Sequence, residues 1–243
     1  NEASNRRACT LNILHKENQY VSLLKASNVS YWLNYFNSMY TSIIMKQQVI
    51  VIHGGGTFTT YDEYINSLTS WTISSLDDLK KKSWKSSLGE VLGEGYEVFN
   101  PSMPNKENAK YLEWRIWFEK ILPHVKDNAI FIGHSLGGIF LVKYFSENLY
   151  NKNIKALFLV AAPYKDIEGE PLGDFNFITD CADLSGKIKT IYMYHSKDDY
   201  VVPFSHTKLY EDKLQKSIFR VFEDRGHFNQ EGFSELVVDI MSL

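Results

Sequence analysis

The strongest chemical signal in the sequence is Gly133-His134-Ser135-Leu136-Gly137. A serine with glycine two positions before and two after has the spacing of a nucleophile at the apex of a sharp strand-to-helix turn. The context agrees. Asn128-Ala129-Ile130-Phe131-Ile132 reads as an apolar strand, and Leu136, Ile139, Phe140 and Val142 follow with helical spacing. So tight a turn strains the serine backbone and leaves no room for side chains at 133 and 137. The following helix aims its first N–H groups and positive dipole end at the serine. The Leu136 N–H is therefore a candidate oxyanion donor. The chemistry implied is attack of the Ser135 hydroxyl on a carbonyl carbon. The alternative is a glycine-rich turn with no chemistry, which the flanking strand and helix disfavour. His134 is directed away from the serine by the turn and reads as a packing residue or a support behind the reacting groups.

A serine hydroxyl needs a base to take its proton. Seven histidines are present. His227 follows the candidate strand 217–222 and is the last in the chain, as the order Ser…Asp…His requires. Gly226 gives its loop freedom to aim the ring. The orienting acid should follow the strand between serine and histidine, which points to Ser196-Lys197-Asp198-Asp199-Tyr200-Val201-Val202-Pro203. Either aspartate fits. Asp199 is preferred for its D-x-x-V-P spacing, with Asp198 as the alternative. The acid's task is to fix the imidazole tautomer and stabilise its protonated form.

The first strand ends in His53-Gly54-Gly55-Gly56-Thr57-Phe58. Bare backbone there lets N–H groups approach a substrate oxygen, so Gly55, and then Gly56, are candidate second oxyanion donors. No G-K-[ST] follows and G-x-G-x-x-G is absent, which argues against a phosphate loop and against a nucleotide- or flavin-binding protein. His53 reads as a loop anchor. Phe58, Tyr164 and Phe204 lie near predicted strand ends and are candidates to line an apolar acyl pocket, with ordinary core roles as the alternative.

These groups need a frame. Strand candidates at 47–52, 95–99, 128–133, 154–161, 188–195 and 217–222 alternate with helical patterns at about 108–122, 136–150, 205–215 and 232–242. The alternation predicts an α/β fold, a mainly parallel six-stranded sheet with helices on both faces. Ligands bind outside the carboxyl ends of such strands, where every candidate above falls. Only about 27 residues separate Ala161 from the strand at 188, so little or no cap is expected.

The bulk numbers narrow the class. The 243 residues carry a net charge of −3 and a hydrophobic fraction of 44%, which suits one soluble domain and gives no electrostatic footprint for nucleic acid. Lys80-Lys81-Lys82 with Lys85 reads as a solvated helix face. Cys9 and Cys181 suit neither a zinc site nor a disulfide framework, and no metal or cofactor is expected. With no apolar run of membrane-span length and no apolar segment after Arg6-Arg7, a cytoplasmic protein is expected. The text changes near Met45: residues 1–44 read as an N-terminal extension and 45–243 as the folded domain.

With these residues in view, the chain resembles the α/β-hydrolase superfamily. More narrowly, it resembles the small, cap-poor serine hydrolases of the retinoblastoma-binding protein nine type and their bacterial relatives. The matching pieces are Val49 to Phe58, Phe131 to Gly138, Val160-Ala161-Ala162-Pro163, His195 to Pro203, and Gly226-His227-Phe228. The resemblance implies a triad of Ser135, Asp199 and His227 and esterase-like activity on a small acyl substrate. An acyltransferase, lipase or peptidase on the same triad, or a partner-binding module on the same fold, are the alternatives. Departures are residues 1–44, the triple glycine, and a longer segment between Trp71 and Val91, which is expected to form a small lid.

Overall fold

The computed structural model describes residues 46–80, 82–166, 171–176 and 180–243. The expected extension over 1–44 and domain start at Met45 lie outside the described residues.

Six strands, β1 Gln47–Ile52, β2 Tyr96–Phe99, β3 Ala129–His134, β4 Ile154–Val160, β5 Ile191–Ser196 and β6 Ile218–Phe222, form one sheet in the order β2-β1-β3-β4-β5-β6. Every neighbouring pair is parallel. The central strands are mostly apolar because both faces are covered, with polar residues such as Gln47, Lys155 and Ser196 at or near their ends. Their alternation still sorts the core into two. Ile50 and Ile52, Phe131, Leu157 and Leu159, and Met193 point into one cluster. Val49 and Val51, Ile130 and Ile132, Phe158, and Tyr192 and Tyr194 point into the other. The edge strands carry polar groups such as Glu97 and Arg220, which blunt edge-to-edge association.

Seven α-helices complete the described architecture: α1 Tyr61–Ser70, α2 Trp84–Leu92, α3 Tyr111–Ile121, α4 Leu136–Glu147, α5 Leu184–Lys187, α6 Ser205–Lys213 and α7 Ser234–Met241. Trp114 and Phe118 of α3 and the apolar face of α4 pack on the first cluster. Trp84, Leu88 and Leu92 of α2, with Leu236 and Ile240 of α7, close the second. No separate cap domain stands over the strand ends among the described residues.

Three helices escape the sequence pattern: α1, α2 and α5, the last only four residues long and too short to show a period. Helix α1 carries Tyr61, Tyr64, Ile65 and Leu68 at helical spacing but buries none of its residues; a Thr60–Glu63 capping box starts it. Helix α2 is rich in Ser and contains Gly89, which hides its buried Trp84-Leu88-Leu92 spacing. The segment expected as a lid thus ends in a helix packed under the sheet. The basic cluster also divides. Lys82 is exposed and the Lys80 side chain is 75% exposed, but Lys85 is half-buried and turned inward.

Candidate active site

Strand order reverses around β1, which pairs with β2 on one side and β3 on the other. A crevice opens where the chain diverges after such a pair of strands. The loops after β1 and β3 are the triple-glycine loop and the serine turn.

Ser135 sits at the β3–α4 junction with φ 53° and ψ −123°, a strained conformation for a residue bearing a side chain. Its N–H donates to Val160 O (2.8 Å), and its side chain makes no cap bond to α4. The flanking glycines are forced by contact. A Cβ at 133 would lie 2.5 Å from Gly137 O, and one at 137 would run into the carbonyls of Ile52 and His53. Bare backbone therefore brings β1, β3 and α4 together. A Cβ at Gly54 would come within 3.0 Å of the Ser135 Cβ, so the glycine loop lies directly against the serine.

Ser135, Leu136, Gly55, Gly56 and Phe58 line one cavity of about 480 Å³. Its other walls come from Pro163, Leu172, Val201 and Val202, and from the polar Asn66 and Ser67 of α1. Gly56 is tied on both sides: its N–H donates to Lys106 O (2.9 Å) and its carbonyl accepts from Ala109 N (2.8 Å). That corrects the reading of Gly56 as an oxyanion donor, because its N–H is spent. Tyr164 and Phe204 also differ from expectation. Tyr164 packs edge-on to Tyr210 (4.9 Å) and Phe204 against His195 (5.7 Å), and neither is among the cavity walls. Their neighbours Pro163 and Val202 occupy those places.

His227 and Asp199 meet on the loops after β6 and β5. The imidazole Nδ1 faces both carboxylate oxygens, at 3.0 and 2.9 Å, and the Asp199 side chain is fully buried. One carboxylate oxygen also accepts from Val201 N and Val202 N, each at 2.9 Å. This local turn explains the D-x-x-V-P spacing: the aspartate caps the residues that lead through Pro203 into α6. His195 Nε2 donates to Val202 O (2.9 Å) and lies 3.7 Å from Asp199, while burial lowers its pKa and keeps it neutral. Asp198 is exposed and holds the loops together, accepting from Gly226 N (2.8 Å) and Ser196 Oγ (2.5 Å).

The His227 ring borders an adjoining depression shared with Tyr200, Gly226 and Asn229 rather than the cavity itself. Its link to the serine strand is His134. The two rings are 5.0 Å apart, and His134 Nε2 is 2.9 Å from His227 O. A carbonyl only accepts, so His134 carries its proton on Nε2. This contact agrees with the supporting role that the sequence offers for His134, whereas Lys85, which reads as part of a solvated face, is unexpected here: its amine lies 3.4 Å from His134 Nδ1. His53 anchors the glycine loop, its Nε2 accepting from Met103 N (2.9 Å) and its Nδ1 donating to Gly54 O (2.5 Å).

The order in which β3, β5 and β6 deliver a strained serine, a buried aspartate and a histidine is that of an α/β-hydrolase. The family model for serine hydrolases matches residues 72–241, and the chain belongs to that family. It is 25% identical over 201 residues to the serine hydrolase RBBP9 of Rattus norvegicus, covering 82% of this chain and 95% of that protein. It is also 25% identical to YdeN of Bacillus subtilis, over 82% of this chain and 96% of YdeN. The crystal structure of the ydeN gene product superposes with a TM-score of 0.66 at 19% identity, over 81% of this chain and 98% of that one. Among the described residues, no helix is long and apolar enough to cross a membrane.

Proposed function

We propose that the protein hydrolyses a small carboxylic ester through an acyl-enzyme on Ser135. The observation that carries the reading is the strained serine opening into a cavity, with the His227–Asp199 pair tied to the same strand through His134. In the first step Ser135 Oγ attacks the carbonyl carbon and its proton passes to His227 Nε2. Asp199 holds that tautomer and stabilises the imidazolium that forms. The negative oxygen rests on the N–H groups of Leu136 and Gly55. His227 then protonates the departing alcohol, and water repeats the sequence to release the acid and free Ser135. Phe58, Pro163, Leu172 and Val202 form an apolar wall suited to a short acyl chain, with the leaving group towards Asn66 and Ser67. A reducing, cytosolic setting suits a chain whose two cysteines make no disulfide framework.

The test is labelling with a fluorophosphonate probe, which reacts with activated serines. Wild type is expected to label and to hydrolyse short p-nitrophenyl esters, and Ser135→Ala to do neither. Labelling that survives Ser135→Ala overturns the assignment of the nucleophile, and a wild type inert in both assays overturns the activity.

A further inference from the structure

The start of α2 holds the loop that carries His227. Trp84 N donates to Gln230 O (3.1 Å), Trp84 Nε1 to Phe228 O (2.9 Å), and Ser87 Oγ to Glu231 O (3.3 Å). Phe228 needs the support, since its φ of 54° lies in the left-handed region that favours glycine. The residue between Trp84 and Ser87 that reaches deepest is Lys85. Its amine stands over the Trp84 ring (4.8 Å) and 3.4 Å from His134 Nδ1. His134 Nε2 in turn donates to His227 O (2.9 Å), which leaves Nδ1 as an acceptor and completes a relay from Lys85 to the His227 backbone.

We infer that Lys85 is a positioning residue for the hydrolytic reaction: its amine fixes the His134 tautomer, and His134 then pins His227 in register with Ser135. The inference rests on the proposed roles of Ser135 and His227. His227 is on this account held twice, through its ring by Asp199 and through its backbone by His134. A carbonyl left without His134 would let the loop drift, and small displacements of a base are costly in rate.

The electrostatics are consistent. Lys85 meets His134 on β3 and feels the charge of Lys106 after β2; His53 after β1 and His227 after β6 share this neighbourhood, and Glu107, an anion within it, pairs with Lys106 (3.4 Å). Burial and then Lys106 push its pKa from 10.5 to about 8. Burial, and next the Lys85 charge, hold His134 well below the ordinary histidine value, so it stays neutral with one fixed proton. A half-buried cation in such company is unfavourable for stability, so its value has to lie in the geometry it imposes.

The test compares Lys85→Met and Lys85→Arg on a p-nitrophenyl ester. Lys85→Met is expected to lower kcat about tenfold with KM unchanged, and to unfold at the same temperature as wild type or higher. Lys85→Arg, which keeps a donor, is expected to recover most of kcat. A folded Lys85→Met with wild-type kcat, or with KM alone changed, overturns the proposal. Nitrogen NMR of His134 in wild type gives a readout that needs no variant to fold. Nδ1 as the unprotonated acceptor supports the relay, and a proton on Nδ1 overturns it. Fluorophosphonate labelling of wild type separates the two readings, since its absence counts against the hydrolase and leaves the tautomer result standing.

Discussion

Replacing Asp199 by Asn should separate the two adjacent aspartates as no sequence argument can. One oxygen of Asp199 accepts from both Val201 N and Val202 N, so in the variant the amide oxygen stays there. The amide nitrogen then faces His227 Nδ1, which sat 2.9 Å from the lost oxygen. Two donors cannot share that contact. With the retained oxygen already shared by two N–H groups, the ring should favour turning its Nδ1 lone pair to the amide and carrying its proton on Nε2, the tautomer that cannot act as base. The charge is lost as well. An imidazolium and a carboxylate centred about 4 Å apart attract by about 4 kcal/mol at an effective dielectric of ~20. Lost from the transition state, that corresponds to a drop in kcat of about a thousandfold. Asp198→Asn should behave differently, because Asp198 is exposed and accepts from loop groups such as Gly226 N and Ser196 Oγ rather than from the imidazole. Its variant should lose less than about tenfold in kcat, the range expected when a loop loosens by a fraction of an ångström. The assay is steady-state hydrolysis of a p-nitrophenyl ester, with thermal unfolding to confirm that both variants are folded. If Asp198→Asn falls as far as Asp199→Asn, the assignment of the acid is wrong.

Further outcomes are expected. Phe58→Ala should raise KM for a butyryl ester up to about tenfold by removing part of an apolar wall, while Tyr164→Ala leaves KM near wild type; equal effects in a Michaelis titration would contradict the cavity described. Asp239 loses solvation through burial, yet hydrogen bonds from Arg220 (2.7 and 3.0 Å) and Tyr194 (2.5 Å) lower its pKa below 3.8. A carboxylate depressed in the folded state adds stability that is present above the unfolded value and lost as pH falls through the folded one. Urea midpoints should therefore separate wild type from Asp239→Asn at pH 7 and converge towards pH 3; a constant gap would remove the pair from the stability of the fold.

Much of the site was legible because its spacing is dictated by contact. Gly133 and Gly137 admit no side chain, so the serine turn announces itself. The D-x-x-V-P run is visible because Asp199 caps its own turn. The six strands were legible from their apolar runs, since the central ones are covered on both faces. What stayed hidden depends on contacts distant in sequence. Gly56 is spoken for by Lys106 and Ala109, which no local pattern reveals. Tyr164 and Phe204 follow strands, but their rings turn towards Tyr210 and His195. Lys85 sits in a lysine-rich stretch and reads as surface, and only the packing of Trp84 carries it inward. Helix α1, which contributes Asn66 and Ser67 to the cavity, is the exception: its Tyr61-Tyr64-Ile65-Leu68 spacing and its Thr60–Glu63 capping box are local signals that the strand-and-helix pattern above leaves out.

The wholly parallel sheet bears on how the molecule is assembled. No two of its strands can meet through a tight hairpin, because each pairing waits for a crossover to be laid down. The β1–β3 pair, on which the serine turn and glycine loop both depend, closes only after the whole excursion through β2. High contact order of this kind slows folding and leaves strand edges exposed for longer. Residence in partly formed states, more than equilibrium stability, then sets how readily a newly made chain is lost to aggregation.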